Sequence, residues 1–402
     1  MVEQTLELDS LEEPFDPRPV SWTAIVAVVL SVSVFALTLG LTYPLLALIL
    51  EGQGVDETWI GLNAAMTSLG VIVFAPVVPR VAVHLGAWRL AIICLIATMG
   101  LFVLLGAFRT MEAWFAVRFL LGVAINGLFV VSETWINQLV TPQTRGRVMG
   151  LYSTVLSLGF AIGPFLLPVT GIEGWAPFWV GVAGAAISLV ALILVRDQVP
   201  TFTREAQGTS LVGFLPLAPV LLAAVATFSF YDQAVLSFWP LYGLRYGLTE
   251  TTVANALGVL IIGNVFLQFP LGWLADRTSR RGLMLFCAAA AVVGSLVLPL
   301  AITRPLILWP LLFFWGGLAF GVYTMALIEL GDRFSGALLL AGNAAFALMW
   351  GVGGIIGPPV TGGVMQLVGP NGLPLVLGVT YGLFTILLAT RQFAARQPTS
   401  AL

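Results

Sequence analysis

Long apolar runs, returning again and again, limit this chain more than any other feature. Twelve of them lie near 22–50, 59–82, 89–108, 113–140, 148–169, 175–195, 212–242, 252–275, 281–302, 306–329, 337–368 and 373–393, with only short polar breaks between. A helix needs ~20 apolar residues to cross the hydrocarbon core of a bilayer, and each run supplies them. With 9% charged residues and a mean hydropathy of +1.01, the chain has too little charge to cover a water-soluble surface. The expected fold is an all-α membrane protein of twelve transmembrane helices. The first, fourth, seventh, tenth and eleventh runs exceed what a bilayer requires, so they tilt or project beyond it.

Charge fixes the expected orientation. All seventeen basic residues are arginine. With both termini in the cytoplasm, thirteen arginines fall inside, Arg109, Arg245 and Arg304 fall outside, and Arg118 falls within a helix. The positive-inside bias therefore predicts a protein of the cell inner membrane with cytoplasmic termini. A formal net charge of −2 leaves no basic surface for nucleic acid. The acidic tail 1–20 lacks the basic start of a signal peptide and is expected to stay disordered in the cytoplasm. Cys94 and Cys287 sit in apolar runs of different halves and are expected to be buried free thiols rather than a disulfide or metal site.

The polar stretch 196–210 divides the runs six and six, giving an N-terminal half 21–195, a linker, a C-terminal half 211–394 and a cytoplasmic tail 395–402. The halves repeat each other. Tyr43-Pro44-Leu45 matches Trp239-Pro240-Leu241 at an offset of 196 residues. Gly122, Gly127 and Gly163-Pro164 match Gly316, Gly321 and Gly357-Pro358 at 194. Parallel repeats about an axis along the membrane normal characterise one large class of transporters.

Particular motifs then carry a resemblance. Residues 272–281, GWLADRTSRR, resemble the G-x-L-A-D-R-x-G-R-R loop of the major facilitator superfamily, with Ser279 in place of the second glycine. The matching loop of the first half, 79–89, is degenerate, with Val83 where the aspartate belongs. Arg118 and Gly122 resemble the family's R-x-x-x-G motif. Gly150, Gly159 and Gly163-Pro164 resemble its antiporter-type motif, though Leu167-Pro168 replaces the closing glycine pair; Gly353 and Gly357-Pro358 repeat it. The runs 132–137 and 331–336 are similar to a YcaD-like branch of that superfamily. The resemblance covers about 22–393 and implies two six-helix halves that rock about a central cavity lined by the first, fourth, seventh and tenth helices. It also implies that Gly272, Asp276, Arg277, Arg280 and Arg281 form a cytoplasmic latch. In that latch Asp276 caps a helix across the domain interface, the arginines pair with acids there, and Glu329 joins Arg277 or Arg281. The spaced glycines and prolines serve as a hinge or as plain close packing; both readings stay open.

Ionisable groups inside a membrane mark functional sites by default. On the fourth helix Arg118, Gly122, Asn126, Glu133 and Asn137 share an arc of about 100° at 3.6 residues per turn, a polar stripe turned away from lipid. Asp232 lies well inside the seventh run. Arg118 and Asp232 are placed to meet across the cavity, either as a proton-switching couple or as a fixed structural pair. Phe228, Trp239 and Tyr323 supply aromatic surface for an apolar or amphipathic substrate, a cationic one included. There is no nucleotide loop, metal cluster or nucleophile paired with histidine, so no enzyme, cofactor or metal is expected. The expected function is proton-coupled efflux of a small organic compound by a monomer in the lipid bilayer. Proton symport or facilitated import, and a non-transporting receptor or assembly factor, are the alternatives.

Overall fold

A computed structural model gives the fold and describes residues 21–139, 145–200, 211–334 and 336–396. The expected acidic tail 1–20, linker residues 201–210 and the end of the chain from 397 lie outside the described residues. The helices are α1 (Trp22–Gly52), α2 (Glu57–Phe74), α3 (Val78–Leu85), α4 (Ala87–Ala107), α5 (Met111–Leu139), α6 (Arg145–Thr170) and α7 (Ala176–Leu194). After the linker come α8 (Leu211–Phe214), α9 (Pro219–Arg245), α10 (Glu250–Ala275), α11 (Arg280–Ala301), α12 (Pro305–Arg333), α13 (Gly336–Val368) and α14 (Gly372–Arg396). Eleven of these are long and apolar enough to cross a membrane, and α6 adds a twelfth with its shorter apolar stretch Thr154–Thr170. The all-α membrane architecture read from the sequence is the one observed.

Two runs read as continuous are broken, both by proline. In the run 59–82, α2 stops at Phe74 because Pro76 has no N–H for the preceding turn. The chain turns there, Val77 N donating to the Phe74 carbonyl at 2.9 Å. It restarts as α3 with Pro79 in its first turn, where a missing N–H does no harm. This short helix buries Val78 and Ala82 against α4 and α5 and leaves His84 exposed. The run 212–242 is interrupted likewise. Pro216 sits in the 3₁₀ turn Leu215–Leu217, and Pro219 opens α9. Asp232 is therefore 13 residues into its helix, ~20 Å at 1.5 Å per residue.

The repeat appears in backbone packing. A β-carbon at Gly70 would collide with the Phe119 carbonyl, and one at Gly122 with the Thr67 carbonyl. In the second half Gly263 stands the same way against Phe313, and Gly316 against Leu260. Both α2–α5 and α10–α12 thus cross where small residues let backbones touch. The buried free thiols also correspond, Cys94 resting on Gly127 and Cys287 on Gly321. The turns ending α1 and α9 share one hydrogen-bond pattern: Gly54 N to Glu51 O and Val55 N to Leu50 O, then Gly247 N to Leu244 O and Leu248 N to Gly243 O. That register is an offset of 193 residues. The Tyr43-Pro44-Leu45 match at 196 is therefore displaced by nearly one turn from the structural equivalence.

The halves meet along α2–α13, α1–α9 and α6–α10. Gly61 lies against Pro358 and Pro359, Gly354 against Ser68, and Gly258 against the Phe165 ring. At the end of the bundle where α9 finishes, Arg245 pairs across the halves with Glu51, at 2.9 Å, and with Glu57. At the opposite end the ion pairs among the described residues are Arg280–Asp332, Arg281–Glu329 and Arg333–Glu329, all inside the second half. Among the described residues, the ion pairs that join the halves are those of Arg245 with Glu51 and Glu57.

Candidate functional site

The polar stripe of α5 reaches its deepest point at Arg118, whose side chain is 1% exposed. Its guanidinium lies 4.5 Å from the centre of the Tyr43 ring of α1. Nε donates to Thr67 Oγ1 at 3.2 Å and Nη1 to Asn63 Oδ1 at 3.3 Å, both on α2. Nη2 has no partner. Beside this cluster are Ser68 and, from the opposite half, Gln233 of α9; both are within contact of the place a β-carbon on Gly354 would take. The Ser68 hydroxyl, the Asn63 amide nitrogen and both side-chain polar atoms of Gln233 are buried without partners.

Asp232 does not meet Arg118: the structure has no ion pair between them. Arg118 is committed to Tyr43, Thr67 and Asn63, while Asp232 stays half-buried with no hydrogen bond or ion pair among the described residues. Both charges act on Tyr43, so they share one electrostatic neighbourhood without touching.

From there toward the Arg280 face the site turns aromatic. Phe228 packs on Phe320 at 4.7 Å and on Tyr323 at 5.5 Å. Across from them Phe35 contacts Phe129 at 4.8 Å and Trp350 at 6.0 Å, the latter from the other half. Glu133 is exposed, yet it stands beside Tyr152 of α6 and within electrostatic reach of Tyr323 of α12 in the opposite half. An exposed acid enclosed by both halves marks a vestibule open toward the Arg280 face. Asn126, between Arg118 and Glu133, is buried with its amide nitrogen unpartnered. The side chain of Asn137 lies outside the described residues.

Other expected residues fall elsewhere. Trp239 is fully buried inside the second half, its Nε1 donating to the Val253 carbonyl at 2.9 Å, so it packs α9 on α10 instead of lining the vestibule. Asp276 is exposed at the end of α10, which stops with its backbone N–H on Gly272 O, and among the described residues it caps no helix across the interface. Arg277 lies over the Trp273 ring at 3.8 Å, and Arg281 rather than Arg277 holds Glu329, at 2.9 Å. Ser279, the departure from the loop motif, caps α11 by accepting from Gly282 N. Gly159 and Gly163 press on α1 at Ser33–Ala36 and Gly40–Leu41, while Gly353 and Gly357 press on α9 at Ala226–Phe230. Pro164 and Pro358 lie inside α6 and α13. Gly150 falls in α6 at a position whose surroundings lie outside the described set.

The sequence did not single out Tyr43, Thr67 or Ser68 as site residues, since they are hydroxyls set within apolar runs. Nor did it single out Glu51, Glu57 and Arg245, which looked like ordinary loop charges.

Twelve crossings in two repeated halves, with a polar site between them, define a membrane transporter. The chain belongs to the Major Facilitator Superfamily, whose family model matches residues 28–337. An uncharacterized MFS-type transporter of Bacillus subtilis (strain 168), YfkF, is 28% identical over 360 residues, covering 84% of this chain and 88% of its own. YcaD, an uncharacterized MFS-type transporter of Escherichia coli O6:K15:H31, is 23% identical over 80% of this chain and 82% of its own. Among solved structures the nucleoside transporter NupG superposes with a TM-score of 0.75 at 15% identity, over 92% of this chain and 99% of its own. A bacterial homologue of the human lysosomal transporter Spinster, inward-facing and unoccupied, gives 0.74 at 13%, over 96% and 100%. A D-xylose-proton symporter gives 0.71 at 15%, over 91% and 95%. The protein is an integral membrane transporter of small molecules and not an enzyme.

Proposed function

We propose that the protein exports a small, largely apolar or amphipathic organic compound in exchange for protons, by alternating access of its two halves. The Asp232 carboxylate carries this reading. It lies midway along α9 without a fixed partner among the described residues, while the neighbouring cation is held by Tyr43, Thr67 and Asn63. A carboxylate in such a place changes its protonation with the access of water, which couples proton movement to the rocking of the halves. Arg118 sets the field around it, Asn126 and Glu133 continue the polar path, and Phe228 and Tyr323 face the substrate's apolar part.

With the termini in the cytoplasm of the inner membrane, as the arginine bias suggests, the Arg280 face is cytoplasmic. The Arg245 pairs then close the outer face and the vestibule opens inward. The loop of Gly272, Asp276, Arg277, Arg280 and Arg281 serves as the latch of the opposite state, in which the cytoplasmic face is shut. Gly150, Gly159, Gly163 and Pro164 with Gly353, Gly357 and Pro358 form the hinges, and their likeness to the antiporter motif supports export. One chain supplies both halves, so the monomer is the working unit. Proton-coupled uptake is the second reading: it uses the same carboxylate, and one structural neighbour is a sugar-proton symporter.

The test is untargeted mass spectrometry of cells and medium, comparing wild type with Asp232→Asn. A compound depleted inside and enriched outside only with the wild type supports proton-coupled export. Accumulation inside replaces it with uptake. Export undiminished in Asp232→Asn removes the carboxylate from the mechanism.

A further inference from the structure

We propose that Arg118, Asn63, Ser68 and Gln233 form the head-group subsite of the transport pathway, and that it takes a carboxylate carried on an otherwise apolar organic compound. This deepens the transport reading and rests on it. Four observations carry the assignment. All four side chains are fully buried. They form one continuous cluster: Asn63 and Thr67 on the guanidinium, Tyr43 beneath it, Ser68 one residue beyond Thr67, and Gln233 meeting Ser68 at Gly354. Arg118 Nη2, Asn63 Nδ2 and both polar atoms of Gln233 have no partner in hydrogen-bond geometry, and neither do the Ser68 and Tyr43 hydroxyls. Finally, no acid among the described residues pairs with Arg118.

Buried polar groups are ordinarily paired, and leaving several unpaired in one place is costly unless a ligand completes them. The unused atoms are mainly donors around a fixed cation, which is the complement of a carboxylate and the wrong environment for an ammonium. Gln233 comes from the second half and the others from the first, so the subsite is complete only while the halves are joined at this level, and rocking takes it apart. One turn along α13 from Gly354, Trp350 with Phe35 and Phe129 provides aromatic surface for the remainder of such a compound.

The experiment uses the full chain in lipid nanodiscs and three probes of matched shape: 3-phenylpropionate, 3-phenylpropanamide and 3-phenylpropylamine. Binding is read by calorimetry and by the thermal midpoint. The carboxylate is expected to bind most tightly. Arg118→Gln and Gln233→Leu are each expected to weaken it by about tenfold or more, the loss that goes with one charge-assisted or buried hydrogen bond. Ser68→Ala, which removes a single hydroxyl, keeps the test valid where Arg118→Gln does not fold, and it is expected to weaken the carboxylate but not the amine. No binding by the carboxylate, tighter binding by the amine, or carboxylate affinity unchanged in the folded variants would each overturn the assignment. The two readings fail separately. Carboxylate binding with export undiminished in Asp232→Asn removes only the proton role, and proton-coupled export without carboxylate binding removes only the subsite.

Discussion

The two halves share a skeleton and differ in what they bury. Gly70 and Gly122 of the first half place backbone on backbone where Gly263 and Gly316 do in the second, and Cys94 and Cys287 fill matching positions. Yet four residues before Gly122 stands Arg118, and four before Gly316 stands Leu312, also fully buried. The first half surrounds its cation with Asn63, Thr67 and Tyr43; the second offers Asp232, Gln233 and the aromatic groups of Phe228, Tyr231 and Tyr323. What the repeat keeps is the fold, and what it breaks is the site.

The largest effects belong to the shared skeleton. Gly122→Leu and Gly316→Leu both drive a side chain into a carbonyl of the facing helix, and each is expected to destabilise by more than about 3 kcal/mol. Recovery of monodisperse protein on size-exclusion chromatography should fall alike for the two. Tolerance at one and not the other would show that the halves do not fold on the same contacts.

The next comparison exchanges the contents. Leu312→Arg places an unpaired cation at the position equivalent to Arg118 and is expected to destabilise by about 2.5–3.5 kcal/mol. Arg118→Leu leaves Thr67 and Asn63 without their donor, an expected loss of about 1–3 kcal/mol together with transport. Thermal midpoints in nanodiscs separate the two. Equal midpoints would mean that the first half has no special provision for its arginine.

These contrasts explain what was legible in the sequence. The helices announced themselves through run length, and the repeat through glycines whose backbone contacts admit no β-carbon. Pro76 and Pro216 were visible but read as interior to longer runs, because hydropathy does not register a missing N–H. Arg118 stood out as a charge among apolar residues. Its partners did not, since a lone tyrosine or serine in a membrane run carries no periodic signal and acquires meaning only when α1, α2 and α9 converge. The meeting of Arg118 with Asp232 failed for the same reason: shared depth along two helices says nothing about which side chain a third helix interposes.

A smaller effect separates the two faces. Arg245 joins the halves, but Arg245 and Glu51 are partly accessible, so that pair is worth only about 0.2–1 kcal/mol, while Glu57 is buried. Arg245→Gln is expected to shift the conformational ratio away from the closed Arg245 face by about two- to fivefold. Spin labels at the exposed Asp56 and Glu250 report this as a longer-distance population. No shift would reduce the cluster to surface charge.

The smallest effect tests the Arg280 face, where the ion pairs among the described residues stay within one half. Reversing Arg281 and Glu329 together should leave the Asp56–Glu250 distances unchanged, because that pair ties α11 to α12 and never crosses the interface here. Asp276→Asn separates the latch from a mere marker of topology. Asp276 is exposed here, and on the latch reading it would cap a helix terminus only when the opposite face shuts, an interaction of about 0.3–1 kcal/mol. Its neutralisation is expected to favour the arrangement described here by a factor of about five at most, seen as growth of the short-distance population. An unchanged distribution would mean that the second half keeps its arginine-rich loop for orientation alone, and that the degenerate loop of the first half lost nothing the rocking motion requires.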